Sequence, residues 1–146
     1  MTDSKYKVTV GMPVYGVEKY IQKSLLSVLN QTYKNDFEIL VVDDLGPDNS
    51  MDIVREFQSS HPRGKNIRIL TQPQNMGCWA ARNRILEEAQ GEYLLLLDSD
   101  DYLSENALEI MLATIKSLAN LTAQTTYYAY VRANCGDGDL SKWANR

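Results

Sequence analysis

Short apolar runs alternate along this chain with stretches whose apolar positions recur every three or four residues, and that alternation predicts an α/β protein. Lys7 to Met12, rich in Val and Thr, reads as a first strand ended by Pro13. A helix with Ile21, Leu25, Val28 and Leu29 on one face follows. Phe37 to Val42 is a second strand, closed by Asp43 and Asp44. After the turn Leu45-Gly46-Pro47, Asp48 or Asn49 can cap a helix carrying Ile53, Val54 and Phe57. Ile67 to Leu70 is a third strand, and Asn75-Met76-Gly77 opens a helix through Ala81, Ile85 and Ala89, stopped by Gly91. Tyr93 to Leu97 is a fourth strand, apolar enough to be buried on both faces. Ser104 then caps a helix whose buried side is Leu108, Met111, Leu112, Ile115 and Leu118, and Thr125 to Ala133 reads as a fifth strand.

Right-handed crossovers wind such a chain into a mostly parallel sheet with helices on both faces, a three-layer, Rossmann-like α/β/α fold. Its loops gather at the strands' C-terminal rim, where open α/β sheets bind ligands. Three loops at that rim carry the unusual polar residues: Pro13 to Glu18, Asp43 to Asp48, and Asp98 to Asp101. In an extended segment Asp98 and Asp100 face one target while Asp101 points elsewhere. Crowded carboxylates repel one another, and an oxygen-only set favours a hard cation, Mg²⁺ or Mn²⁺, shared with substrate phosphates.

Length and composition narrow the setting. The 146 residues suit a single domain, 44% hydrophobic and 23% charged. A net charge of −4 leaves no basic stripe for a nucleic-acid backbone. No apolar run is long enough to span a membrane, and the first residues lack the apolar core of a signal peptide, so a cytoplasmic protein is expected. Two cysteines make neither a disulfide framework nor a four-ligand zinc site; Cys78 is expected as a small buried hydrophobe and the lone His61 as a solvated loop residue. A phosphoacceptor domain would need an acidic pair after the first strand, where Pro13 stands, and no Gly-x-Gly-x-x-Gly turn serves a dinucleotide.

Five ordered motifs resemble the inverting family-2 glycosyltransferases, enzymes of the GT-A fold that use nucleotide-diphosphate sugars. They are Val10 to Tyr15 with Glu18, Ser24 to Gln31, Val41 to Asp44, Asn75-x-Gly77 with Ala80 to Asn83, and Gly91 to Tyr93 leading into Asp98-Ser99-Asp100-Asp101. The resemblance implies that Pro13, Tyr15 and Glu18 line the base and ribose pocket. It implies that Asp44 accepts a hydrogen bond from the base, usually uracil, with Asp43 beside it. Arg82 would lie near the diphosphate, Asp98 would serve the ribose or the metal, and Asp100 would ligate Mn²⁺ or Mg²⁺. The physics suits each role: a carboxylate accepts the N–H of uracil, a Tyr ring stacks, an Arg fork fits phosphate oxygens. The implied reaction is metal-dependent transfer of a sugar, from UDP, to a carbohydrate or lipid-linked acceptor at the cytoplasmic face of the membrane, by a monomer or homodimer. The family's general base and acceptor half have no counterpart in Asn134 to Arg146, so residues 1–146 are expected to form one donor-binding domain. The alternative is a truncated, non-catalytic nucleotide- and metal-binding module. Gly16, Leu45-Gly46-Pro47 and the bulky Cys78-Trp79 depart from the family's pattern.

Overall fold

The first strand, β1 (Tyr6–Val14), runs two residues past the Met12 end that Pro13 was expected to impose. Residue 11 already turns its carbonyl toward the neighbouring strand, Leu97 N–H donating to Gly11 O at 2.9 Å. Pro13 faces the same side two residues on, beyond the end of that neighbour, so its missing N–H costs no ladder bond. A computed structural model describes residues 4–119, and the strand expected at Thr125 to Ala133 lies outside them. The described elements continue as α1 (Glu18–Leu29), β2 (Glu38–Asp43), α2 (Ser50–Ser60), β3 (Ile67–Thr71), α3 (Cys78–Glu88), β4 (Gly91–Leu96) and α4 (Ala107–Ala119).

The four strands form one parallel sheet in the order β3-β2-β1-β4. Alternation sorts side chains to its two faces. Val8, Val10, Met12 and Val14 of β1, with Ile39 and Val41 of β2, pack against Ile21, Leu25, Val28 and Leu29 of α1, Val54 of α2 and Leu108 and Leu112 of α4. Leu40 and Val42 point the other way, onto Ala81 and Ile85 of α3. The three-layer reading therefore holds. Burial on both faces is complete for β2 but not for β4, which is the edge of the described sheet and only partly covered. Leu118, expected on the buried side of α4, is exposed.

Helix ends were harder to foresee. Ser104 does not cap α4 with its side chain. The N–H of Leu108 is instead taken by Gln31 Oε1 at 2.9 Å, 77 residues away in sequence. Gln31 Nε2 donates to Ser104 O, and Ser27 Oγ accepts the N–H of Leu103. The end of α1 thus anchors the segment that follows the acidic run 98–101. At the opposite end of the sheet, buried Glu38 accepts from Thr9 Oγ1 and Arg68 Nε, both at 2.6 Å, and from Gln90 N–H at 3.0 Å. These bonds join β1, β2, β3 and the entry to β4.

Candidate active site

The three polar loops meet at the C-terminal rim, joined by side-chain bonds between elements distant in sequence. Ser99 is buried, and its hydroxyl donates to Pro13 O at 2.7 Å. Asp44 is only 2% exposed, and its two oxygens accept the backbone N–H groups of Met76 at 2.8 Å and Gly77 at 2.9 Å. Gly77, at φ +86°, makes the left-handed turn that opens α3, a conformation few side chains tolerate. Arg82, one turn into α3, donates to Asp98 Oδ1 at 2.5 Å and stacks beside the exposed Trp79, 5.4 Å from its ring centre. The ends of β1, β2 and β4 and the start of α3 therefore form one rim.

The acidic segment is not the extended strand end that sequence pattern suggested. Asp101 N–H donates to Asp98 O at 2.9 Å, closing a tight turn with Ser99 turned inward. Asp100 is exposed and Asp98 half-exposed. Nor is Asp98 waiting unpaired for a cation, since the Arg82 guanidinium lies against it. Among the described residues no three His, Cys, Asp or Glu side chains are arranged to hold a metal ion. The donor set still suits Mg²⁺ or Mn²⁺, ions held by one or two carboxylates together with substrate phosphates and water.

Between the loops after β1 and β2 a cleft of about 220 Å³ is walled by Tyr15, Gly16, Asp43, Leu45, Asp48 and Arg55, among others. Tyr15 is half-exposed at its mouth. Asp43 Oδ1 accepts the N–H of Leu45 at 2.9 Å, and Oδ2 lies 4.0 Å from Arg55. Leu45 takes φ 58°, an unusual conformation for a branched side chain. Sequence pattern missed Arg55, which looks like any solvated helix residue. It also missed how Glu18 is used: its carboxylate accepts from Asn49 N and Nδ2 at 3.3 and 3.2 Å. Hydrogen bonds from the Ser50 hydroxyl and the Glu18 N–H hold the Asp48 carboxyl below its ordinary value of 3.8, against a smaller opposing effect of desolvation.

Two expectations need correction. Cys78 is exposed at the start of α3 rather than buried; the helix buries Ala81 and Ile85 instead. His61 does not simply face solvent: half-buried, its Nδ1 accepts the N–H of Arg63 at 3.0 Å. A larger hollow of about 790 Å³ lies at the other end of the strands among Lys5, Lys7, Lys34 and Lys116. None of the rim carboxylates reaches it.

Comparison with known proteins agrees with this fold. The chain is 41% identical over 108 residues to the Escherichia coli protein WfgD, a UDP-Glc:alpha-D-GlcNAc-diphosphoundecaprenol beta-1,3-glucosyltransferase, covering 74% of this chain and 40% of that one. The structure of S. aureus TarS 1-349 in complex with UDP superposes with a TM-score of 0.69 at 34% identity, covering 76% of this chain and 32% of that one. The Pyrobaculum calidifontis mannosyltransferase PcManGT, in complex with GDP-Man and Mn2+, gives a TM-score of 0.68 at 27% identity, covering 82% and 35%. The chain thus spans well under half the length of each of these three proteins. The family model described as glycosyl transferase family 2 matches residues 9–138, and with its GT-A neighbours this shows that the chain belongs to that family.

Proposed function

We propose that this chain is the donor-binding domain of a glycosyltransferase that moves a sugar from UDP to a hydroxyl of a carbohydrate or lipid-linked acceptor, with inversion. The observation that carries the reading is the rim itself, where Asp44, Arg82, Asp98 and Ser99 tie the ends of β1, β2 and β4 to the start of α3. The uracil stacks on Tyr15 beside Pro13, and Asp43, which lines the cleft, accepts its imide N–H. Asp44, expected from the sequence to accept from the base, has both oxygens taken by backbone N–H groups and holds the neighbouring loop instead. Arg82 offers a planar fork for the diphosphate, close to the start of α3, whose N–H groups favour anions. Asp100, with Asp98, would hold Mn²⁺ or Mg²⁺. When bound, such an ion neutralises charge growing on the departing diphosphate. The acceptor's proton passes to a general base on the far side of the sugar, a role assigned to none of the described residues.

The UDP named with TarS and the UDP-Glc named for WfgD support the choice of uridine, and the Mn2+ named with PcManGT supports the ion. No described helix is long and apolar enough to cross a membrane, and a cytoplasmic protein, acting alone or as a homodimer against the inner face of the membrane, fits a lipid-linked acceptor. The second reading is a module that holds nucleotide and metal without turnover; the chain spans 40% of WfgD and 32% of TarS 1-349.

Calorimetric titration of UDP with and without Mn²⁺ tests the proposal. Binding is expected to require the metal and to disappear in Asp100→Ala. Binding that ignores both the metal and that substitution refutes the assignment. Transfer assays then separate the two readings, because a module binds UDP with no turnover.

A further inference from the structure

The loops after β1 and β2 cap each other's helices. Asp48 Oδ2 accepts the backbone N–H of Glu18, the first residue of α1, at 2.9 Å. In return Glu18 accepts the backbone N–H of Asn49, the residue before α2, and that residue's side-chain amide. Val17 N–H donates to Ser50 Oγ at 3.0 Å, and Ser50 Oγ donates to Asp48 Oδ1. The backbones also touch, since a Cβ on Gly46 would stand 2.6 Å from Gly16 N. Both Glu18 oxygens are therefore spent on the neighbouring loop. Yet Tyr15 and Gly16 form one wall of the 220 Å³ cleft, and Asp43, Leu45 and Gly46 the other.

We propose that Glu18 and Asp48 are positioning residues whose reciprocal caps set the width of this cleft, and with it the preference for a uracil over a purine. The proposal rests on the reading of the cleft as the nucleoside pocket. A carboxylate that touched the ribose itself would act independently of Asp48. A shared junction makes the two residues act as one, and its loss lets the walls separate far enough to admit a larger base.

The test measures UDP and GDP affinity with Mn²⁺ by calorimetry for the wild type, Glu18→Ala, Glu18→Gln, Asp48→Ala and the double alanine variant. Amide hydrogen exchange at Glu18 and Asn49 is followed in the free proteins. Each alanine variant removes at least two charge-assisted hydrogen bonds, part of whose loss reaches the cleft, and is expected to weaken UDP binding about tenfold. Each should also narrow the preference for UDP over GDP. The double variant should fall well short of the product of the two single effects. Glu18→Gln should stay within about threefold of wild type, because turning the Asn49 amide end for end restores both bonds. The Glu18 amide should exchange faster in Asp48→Ala, whether or not nucleotide binds. Effects that multiply in the double variant, or a UDP-to-GDP ratio that neither substitution moves, overturn the proposal. If the wild type binds neither nucleotide, the donor reading falls and takes this one with it. Protected amides with nucleotide affinity indifferent to both substitutions defeat only the clamp.

Discussion

Replacing Asp44 with Asn keeps the side chain's shape and turns one of its two acceptors into a donor. Both oxygens now receive backbone N–H groups, from Met76 and Gly77, inside a site where Asp44 is 2% exposed. Whichever way the Asn amide turns, its NH₂ faces one of those N–H groups, donor against donor. The surviving bond loses its charge assistance as well. A hydrogen bond to a charged group is worth about 1.5–3 kcal/mol and a neutral one about 1, so the variant should lose about 2–5 kcal/mol. That is a large share of a stability of about 5–15 kcal/mol. Urea denaturation reads the loss as a lower midpoint at unchanged slope. Hydrogen exchange at Met76 and Gly77 should accelerate, and UDP affinity should fall because α3 and Arg82 lose their fixed approach to the rim. If Asp44→Asn keeps wild-type stability and exchange while losing UDP, Asp44 addresses the ligand directly and its role in holding the loop before α3 is refuted.

Gly11→Ala should cost about 1–3 kcal/mol, as overpacking does. Its Cβ would stand 2.3 Å from Cγ2 of Ile85, a fully buried and β-branched neighbour with little rotamer freedom. Urea midpoints should show a smaller cost of Gly11→Ala in an Ile85→Ala background than in the wild type, and an unchanged Gly11→Ala would mean that α3 does not pack closely on β1. The depressed Asp48 carboxyl makes an acid-side prediction. Its hydrogen bonds contribute stability that is complete above 3.8 and is lost as pH falls through its lower folded value. Asp48→Asn should therefore lose less of its stability than the wild type between about pH 5 and pH 2.5 in parallel urea titrations. Parallel curves would place Asp48 outside the linkage.

The legible part of this protein was the part written in nearest neighbours. Alternation in β1 and β2, three-and-four spacing in α1 and α3, and acidic pairs after two strands all report local geometry. They were enough for the sheet, the layers and the rim. What misled were features whose outcome depends on partners elsewhere. Pro13 looked like a strand end, yet it stays in β1 because β4 has already stopped beside it. Ser104 looked like a cap, yet Gln31 supplies the acceptor. Asp98 to Asp101 looked extended, yet Ser99 turns inward to the Pro13 carbonyl and curls the segment.

The candidate site divides the same way. Sequence by itself determined which residue types stand at the C-terminal ends of the strands, because strand and helix periods decide where each loop must fall. Tertiary structure alone decided what those side chains do there. Asp44 is spent on two backbone N–H groups, Glu18 on Asn49, and Asp98 on Arg82. Asp43 lines the cleft with one oxygen on the Leu45 N–H and the other 4.0 Å from Arg55. A carboxylate's chemistry depends on the donor that reaches it, and for Asp44, Glu18 and Asp98 the chain brings those donors from 16 to 33 residues away.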